Sequence, residues 1–202
     1  MFYNFVLTVA RPFFYLYSGK PTIIGKENLK YIEEGSAIIC ANHKSNWDPI
    51  ILCMSIPQRH INFMAKKELF QNKLGNWFFR KMKAFPVDRD ANDIGAIKHA
   101  LKLLKNEHVF GIFPEGRRNK NGQVLEFKDG MALIAHKTKS TILPIGIENE
   151  VGFRKRAVIE IGKPIDLSEF YGQKGNVDIF KEMNSIVHKE VALLAAPLPA
   201  KK

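Results

Sequence analysis

The sequence has few cysteines, no long uninterrupted hydrophobic segment and no low-complexity stretch. Cys40 and Cys53 are the only cysteines among 202 residues, and both stand in apolar runs. Two thiols do not make a disulfide scaffold, and their spacing matches no zinc-binding pattern. We therefore expect buried, reduced thiols and a reducing compartment. The lack of compositional bias excludes a disordered or collagen-like chain.

No apolar run reaches the roughly 20 residues that a transmembrane helix requires. The most apolar stretch, residues 2–17, is interrupted by Arg11 and Pro12. It also lacks the basic start and the small-residue cleavage site of a signal peptide. Two interpretations remain open. The stretch is either a helix packed on the domain or a helix lying in the headgroup layer of a membrane with its aromatic side chains inserted.

Acidic residues are outnumbered by basic ones. The chain has 20 Asp and Glu against 31 Lys and Arg, which gives a net charge of +11. Such a surface attracts anions, whether phosphate-bearing substrates, anionic lipids or nucleic acids. Because the chain also contains 15 Phe, the combination of basic and apolar character favours a membrane surface over nucleic acid.

Short apolar runs typical of buried strands alternate with segments of helical periodicity. Strands are predicted over residues 36–41, 61–65, 109–113, 141–147 and 157–161. Helices are predicted over residues 49–55, 71–83, 93–105, 130–137 and 177–195. This alternation predicts one layered α/β domain over residues 20–202, with a largely parallel or mixed central sheet flanked by helices. An N-terminal apolar or amphipathic helix over residues 1–19 precedes it.

The first segment that could carry chemistry, residues 42–49, reads Asn-His-Lys-Ser-Asn-Trp-Asp-Pro. It places His43 at the carboxyl end of a predicted strand, which is where sites form in open α/β sheets. The Asp48 carboxylate could accept a hydrogen bond from one imidazole nitrogen and leave the other free as a general base. The alternative is that Asp48 caps the next helix, with Pro49 at its first position, beside a structural histidine.

Three further segments bring cations to predicted loops. Residues 113–119 read Phe-Pro-Glu-Gly-Arg-Arg-Asn, and arginine can bind phosphate through two parallel hydrogen bonds. We expect Glu115 to orient the two arginines, although a charged surface turn is the alternative. Arg89 in residues 85–89 is either a second phosphate contact or half of an Asp–Arg pair. Lys128 in residues 127–130 adds another cation.

These segments, in this order, resemble the motifs of the glycerolipid acyltransferase family, specifically the small bacterial 1-acylglycerol-3-phosphate (lysophosphatidic acid) acyltransferases. The resemblance covers residues 20–165. The matching positions are Asn42, His43, Ser45 and Asp48; Phe85, Asp88 and Arg89; Phe113, Pro114, Glu115, Gly116 and Arg118; Phe127, Lys128 and Gly130; and Leu143, Pro144 and Ile145. Four of these groups are the family's motif blocks, and the group at Phe127, Lys128 and Gly130 lies between the last two. Four ordered blocks make a chance agreement improbable.

The resemblance assigns two catalytic residues and a set that binds substrate. His43 would be the base and Asp48 its partner. The substrate-binding residues would be Arg89, Glu115, Gly116, Arg117, Arg118 and Lys128. The chain departs from the family pattern at two positions, because Arg117 replaces threonine and Asn119 replaces serine. Which of the two arginines meets the phosphate therefore remains open.

The reaction that the resemblance implies is the transfer of a fatty acyl group from a thioester to the free hydroxyl of 1-acylglycerol-3-phosphate, giving phosphatidic acid for phospholipid synthesis. The donor would be acyl-carrier protein or coenzyme A, and no metal or other cofactor is expected. We expect direct attack by the hydroxyl rather than an acyl-enzyme, for which Ser45 and Cys40 would be the nearby nucleophiles. The protein would lie on the cytoplasmic side of the cell membrane, in contact with anionic lipid.

Two alternatives to this reaction remain open. One keeps the chemistry but changes the acceptor to glycerol-3-phosphate or another lysophospholipid. The other is a non-enzymatic basic module that binds lipid or nucleic acid, although no nucleic-acid-binding motif occurs in the sequence. Residues 74–85 mix aromatic and basic side chains and are a second candidate for membrane contact. For their aromatic side chains we prefer the interpretation that they belong to the core.

Overall fold

The computed structural model describes residues 1–88, 91, 93–119 and 123–197. In this part of the chain seven strands form one sheet, with helices on both faces. The strands are β1 (Thr22–Ile24), β2 (Ala37–Ala41), β3 (Ile61–Lys66), β4 (Ala84–Val87), β5 (Val109–Ile112), β6 (Thr141–Ile147) and β7 (Val158–Ile161). The α-helices are α1 (Phe2–Ser18), α2 (Asp48–Ser55), α3 (Lys73–Lys81), α4 (Ile94–Lys105), α5 (Gly130–Thr138) and α6 (Val177–Leu194).

The sheet is mixed and mostly parallel. Its strand order is β1-β7-β6-β2-β5-β3-β4, and the pairing is parallel everywhere except between β6 and β7. Helices connect the parallel neighbours and therefore cover both faces of the sheet. This confirms the predicted layered α/β domain.

Strand β2 lies at the centre of the molecule and is buried along its whole length. Its side chains alternate between the two faces, so that Ile39 and Ala41 pack with α1 and α2. Ile38 and Cys40 point to the opposite face and pack with α4, α5 and α6. Both cysteines are buried and unpaired, which confirms the prediction of buried thiols.

Helix α1 runs along one face of the sheet as an amphipathic helix. Tyr3, Leu7 and Phe14 face the core, whereas Phe5 and Phe13 are exposed. Among the described residues, none of the helices combines the length and apolar character needed to cross a bilayer. The predicted N-terminal helix is thus confirmed, with one face packed on the core and the other exposed to solvent.

The region between β3 and β4 differs from the expectation. The helix predicted over residues 71–83 is shorter, because α3 begins only after Asn72, whose side chain accepts a hydrogen bond from the Gly75 amide at 2.6 Å. None of the α3 side chains is buried, and Leu74 and Trp77 are exposed. The assignment of the aromatic side chains of residues 74–85 to the core is therefore wrong for Trp77, Phe78 and Phe79 and confirmed for Phe85, which is buried. Helix α3 packs beside β4 at the end of the sheet, where few elements are available to cover it.

Candidate active site

The carboxyl ends of β2 and β5 bring two of the sequence segments together. The two strands are parallel neighbours, with Cys40 opposite Ile112. The chain leaves β2 into the segment with His43 and leaves β5 into the segment with Glu115. These two segments therefore meet at the same edge of the sheet, which is the usual place for a site in an open α/β fold.

The His43 imidazole is oriented by Asp48. Its Nδ1 lies 2.8 Å from Asp48 Oδ2, and both side chains are buried. Because a carboxylate can only accept, Nδ1 must carry the proton of this hydrogen bond. The other nitrogen, Nε2, is then the basic one, and it has no hydrogen-bond partner among the described residues. The pair has the geometry of a general base with an orienting carboxylate.

Asp48 holds the whole turn that contains the histidine. Its Oδ2 also accepts hydrogen bonds from the backbone amides of Lys44, at 2.6 Å, and Ser45, at 2.8 Å. The Ser45 hydroxyl donates to Asp48 Oδ1 at 3.0 Å. The interpretation of Asp48 as a helix cap was wrong, because α2 begins at Asp48 and this carboxylate turns back toward the preceding turn rather than capping the helix. The hydroxyl of Ser45 is likewise committed to shaping the turn.

Glu115 supports the histidine from the neighbouring strand end. Its Oε1 accepts a hydrogen bond from the His43 amide at 2.6 Å, and its Oε2 accepts one from the Leu125 amide at 2.9 Å. The side chain is buried, and burial raises the pKa of the Glu115 carboxyl although the two amides act in the opposite direction. The expectation that Glu115 orients the arginines differs from the structure, which directs both of its oxygens to backbone amides.

A stack of aromatic rings lies against the imidazole. The Phe113 ring is 4.3 Å from the His43 ring, centroid to centroid, and nearly parallel to it. The Phe63 ring lies 5.4 Å behind Phe113, again nearly parallel. The Phe63 ring fills the space where a Cβ of residue 111 would stand, so Gly111 is required for this close approach. The stack leaves the imidazole little room to tilt.

The residue that follows β2, Asn42, is hydrogen-bonded to the end of β6. The Asn42 side chain donates to the Ile147 carbonyl at 3.0 Å and accepts from the Ile147 amide at 2.7 Å. The Asn119 amide donates to the His43 carbonyl at 2.8 Å. These contacts of Asn42 and Asn119 could not be predicted from the sequence, because each joins positions at least 70 residues apart. The only available signal was that Asn42 stands directly before His43 in the matched motif.

A groove of about 1170 Å³ opens beside the histidine, on the face of the sheet covered by α4, α5 and α6. His43 and Phe113 line it together with apolar side chains from the flanking elements. These include Met64, Val87, Ile94, Ile97, Val124 and Phe180. A largely apolar groove that ends at a basic imidazole suits a ligand with a long hydrocarbon part and a reactive group.

Gly116 and Lys128 lie together at this groove. Gly116 has φ of 70°, a conformation that glycine adopts without strain. A Cβ at residue 116 would stand 2.7 Å from Lys128 Cε, so the glycine also makes room for the lysine side chain. The Lys128 amide donates to the Pro114 carbonyl at 3.0 Å, which ties the two segments to each other.

The arginines of the second segment lie at the surface. Arg117 and Arg118 are both exposed. Arg118 lines a smaller cavity of about 480 Å³, which is bordered by Ser45 and Trp47 of the turn that carries His43. Arg89 lies outside the described residues. The structure therefore brings His43, Asp48, Glu115, Gly116 and Lys128 into one cluster and places Arg118 beside it.

Comparison with known proteins agrees with this geometry. Residues 20–148 match the family model described as Acyltransferase. The chain is 36% identical over 158 residues to the 1-acyl-sn-glycerol-3-phosphate acyltransferase of Bacillus subtilis, a match that covers 75% of this chain and 77% of that protein. It is 34% identical over 143 residues to the protein of the same name from Streptococcus pneumoniae, covering 68% of this chain.

The match to the Streptococcus pneumoniae protein covers 53% of its length, so the chain spans about half of that relative. The crystal structure of the 1-acyl-sn-glycerophosphate acyltransferase from Thermotoga maritima superposes with a TM-score of 0.72. That protein is 25% identical in sequence, and the match covers 97% of this chain and 80% of the other. The likeness therefore extends over both the sheet and the helices that flank it.

Proposed function

The chain belongs to the Acyltransferase family, and from this we propose that it transfers a fatty acyl group from a thioester to the free hydroxyl of 1-acylglycerol-3-phosphate, forming phosphatidic acid. One observation carries the proposal. The His43 imidazole is held by Asp48 at 2.8 Å and lines a large, mostly apolar groove. A base beside an apolar groove that can hold a hydrocarbon chain is what fatty-acyl transfer to an alcohol requires.

The reaction proceeds by direct attack. Nε2 of His43 removes the proton of the acceptor hydroxyl while its oxygen bonds to the thioester carbonyl carbon. Asp48 keeps the imidazole in the required tautomer and stabilises the imidazolium that forms. The carbon–sulfur bond then breaks, and the proton passes from the imidazolium to the departing thiolate. The products are phosphatidic acid and a free thiol.

We propose no covalent intermediate on the protein. The Ser45 hydroxyl already donates to Asp48, and Cys40 is fully buried in the central strand. Burial also raises the pKa of the Cys40 thiol, which disfavours the nucleophilic thiolate. Nor does the scheme call for a metal ion, and the described residues hold no cluster of three or more side chains suited to binding one.

The cations near the groove would hold the phosphate of the acceptor. Lys128 lines the groove beside Gly116, and Arg118 lies across the turn. Arg89 and Arg117 complete the set that we assign to this role. Fixing the phosphate positions the acceptor hydroxyl against Nε2, and this proximity lowers the barrier. Glu115 acts behind the base by fixing its backbone.

The substrates also imply contact with a bilayer, since a long-chain lysophospholipid resides there. The outward face of α1 presents Phe5, Val9, Phe13 and Leu16 to solvent, and α3 adds Leu74 and Trp77. Phe2 joins the two helices, because its ring lies 5.0 Å from that of Trp77. We call these residues of α1 and α3 the apolar face. Helices of this kind lie in the plane of the interface.

The apolar face is accompanied by basic side chains such as Arg80 and Lys81 at the end of α3. Anionic lipid attracts such side chains to the cytoplasmic leaflet. We therefore propose a peripheral location on the cytoplasmic side of the cell membrane. The acyl donor, carrier protein or coenzyme A, would approach from the aqueous side, and both are acidic enough to suit the basic surface.

Acyl transfer to 1-acylglycerol-3-phosphate in detergent micelles tests the proposal. The carrier-protein thioester and the coenzyme A thioester are supplied separately, and the His43→Ala variant is measured alongside. His108→Ala is a matched control, because His108 is exposed at the opposite edge of the sheet. We expect phosphatidic acid from the wild type and the control, and a loss of at least about 1000-fold for His43→Ala.

Three results would contradict the proposal in different ways. Turnover that survives His43→Ala would remove the mechanism. Turnover with glycerol-3-phosphate or another lysophospholipid, but not with 1-acylglycerol-3-phosphate, would keep the mechanism and change the acceptor. An acyl adduct isolated on Ser45 would replace direct attack with a two-step reaction.

A further inference from the structure

The connection between β6 and β7 forms a small basic hairpin. Gly152 and Lys155 pair as an antiparallel bridge, with the Lys155 amide donating to the Gly152 carbonyl at 3.0 Å. Between them Phe153 is 67% exposed, and Arg154 lies over its ring at 5.8 Å. With Arg156, the hairpin combines three cations with one exposed aromatic side chain.

The hairpin is fastened to the end of α1. The Arg154 amide donates to the Tyr17 carbonyl at 2.8 Å, and the Tyr17 ring lies 5.9 Å from that of Phe153. The Arg156 side chain lies next to Gly19, the residue that ends α1, and comes within 3.8 Å of the position that a Cβ would occupy there. The exposed Phe153 is therefore a continuation of the apolar face of α1, held at a fixed place.

A cavity of about 480 Å³ lies between this hairpin and the catalytic turn. Its charged and aromatic lining consists of Arg118, Lys155, Glu150, Tyr17, Trp47 and Phe153. Arg118 belongs to the set that we assign to the acceptor phosphate. The cations of the hairpin itself, Arg154, Lys155 and Arg156, outnumber the single carboxylate of Glu150 and leave a net positive charge, which suits a phosphate group. Tyrosine and tryptophan with flanking cations are the side chains that proteins place at the headgroup level of a bilayer.

We propose that this hairpin, through Arg154, Lys155 and Arg156 at the rim of the cavity, binds the phosphate group of an anionic phospholipid of the bilayer. The proposal rests on the membrane location given under the proposed function, but it does not depend on acyl transfer. An exposed Phe153 continuous with the apolar face favours a bilayer, which can cover that whole apolar surface and at the same time pair its phosphate groups with the cations.

The bound phospholipid would be distinct from the acceptor. His43 lines the large groove, not this cavity, which is lined by the following residues of the turn, Ser45 to Trp47. A headgroup held here would lie next to the catalytic turn without touching the base. Its role would be to fix the orientation of the protein on the membrane so that the turn faces the lipid.

Sedimentation with vesicles tests the proposal. The vesicles are phosphatidylcholine alone or phosphatidylcholine with roughly 30% phosphatidylglycerol, a fraction that gives a clearly negative surface. The test variant is Arg154→Glu with Lys155→Glu, which leaves the backbone bond to Tyr17 in place. The control is Lys102→Glu with Lys105→Glu on α4, which makes the same change in charge at exposed positions elsewhere.

We expect the hairpin variant to lose at least about tenfold in affinity for the anionic vesicles, and the control less than about threefold. Equal losses in the two variants would show that only net charge matters and would overturn the proposal. Phe153→Ser, which keeps every charge, should weaken binding about threefold to fivefold because it removes an inserted ring. Thermal unfolding of each variant identifies any that fail to fold.

A second measurement separates the phospholipid from the acceptor. The hairpin variant is assayed with a short-chain, monomeric 1-acylglycerol-3-phosphate in the absence of vesicles, and KM should equal that of the wild type. A large rise in KM, with vesicle binding intact, would make this the acceptor site and overturn the proposal. The proposed function is decided separately, by wild-type turnover of the same soluble acceptor and its loss in His43→Ala.

Discussion

The catalytic turn and the apolar face lie side by side but are built in opposite ways. In the turn, His43 is 6% exposed and Asp48 is fully buried, and the carboxylates of Asp48 and Glu115 accept hydrogen bonds from six backbone and side-chain groups. On the apolar face, Phe13 is 70% exposed and Leu16 is 85% exposed. Trp47 joins the turn to α1, since it follows the histidine and its ring lies 5.5 Å from that of the core-facing Phe14.

The two regions differ in burial because proton transfer and membrane binding place different demands on the side chains. Proton transfer needs one fixed geometry, so the groups of the turn act as a unit and their removal is not additive. Partition into a bilayer needs only apolar area and charge, so each side chain of the apolar face contributes separately. Substitutions in the turn should therefore have large effects on turnover, and substitutions on the face should have small and additive effects on membrane binding.

Replacement of Asp48 by asparagine should have the largest effect. The side chain keeps its shape, and its one oxygen can still accept from the imidazole and from the backbone amides of Lys44 and Ser45, which all meet Oδ2. The negative charge beside the imidazole is lost, however, so we expect kcat to fall by about 1000-fold or more because the imidazolium that forms is no longer stabilised. Steady-state kinetics measure this, with the exposed Asp166→Asn as control. A loss below tenfold would show that Asp48 does not act with the base.

Replacement of Glu115 by glutamine should have an intermediate effect. One of its two oxygens becomes an NH₂ group that faces a backbone amide, either that of His43 or that of Leu125. We expect kcat to fall about 10- to 100-fold with KM nearly unchanged, since the base shifts while the substrate contacts remain. Glu34→Gln, at an exposed position, is the control.

The opposite pattern for Glu115→Gln, a raised KM with unchanged kcat, would assign Glu115 to the substrate, as sequence analysis expected. The kinetics of this one variant therefore decide between positioning the base and binding the acceptor. The same variant also tests the contrast between the two regions, because a substitution in the buried turn should change turnover and leave membrane binding unchanged.

Serine at Phe13 or at Leu16 should have smaller effects, confined to membrane binding. We expect each substitution to weaken partition into phosphatidylcholine vesicles about threefold to tenfold, and the double variant to show the product of the two losses. Leu193→Ser on α6 is the matched control, because Leu193 is also exposed but lies on another face. If the control loses as much, α1 does not insert.

The smallest expected effect is a dependence of stability on pH. Burial raises the folded-state pKa of Glu115 above its unfolded value. The stabilising contribution of this carboxyl is therefore complete below the unfolded pKa and is lost as the pH rises through the folded pKa. In urea unfolding, the free energy of unfolding of the wild type should rise relative to that of Glu115→Gln as the pH falls from 7 toward 5. A difference between the two free energies that does not change with pH would contradict this.

Much of the fold could be predicted from local sequence patterns, because its central strands are apolar and its helices are periodic. Strand β6 over Thr141–Ile147 agrees with the prediction residue for residue. Strands β1 and β4 were missed, since β1 has only three residues and β4 contains Pro86, which argues against a strand. The exposure of α3 could not be predicted, because no local pattern tells whether a neighbour exists to cover it.

The pair of His43 and Asp48 could be predicted as a hypothesis because both residues stand on one turn. The contact of Glu115 with the His43 amide could not be, because it depends on the register of β2 and β5. The hairpin at Phe153 was not predicted either, because it packs against Tyr17, which is more than 130 residues away in the chain.

The tie between Asn42 and Ile147 has a consequence for how the protein is made. The two residues are separated by 105 positions, and the His43 amide meets Glu115 across 72. A chain emerging from the ribosome exposes the histidine long before either partner exists, and parallel pairing over such separations is slow. The base is thus assembled only after β6 has been synthesised and docked, so a truncated chain that ends before Thr141 should carry the catalytic residues yet show no activity.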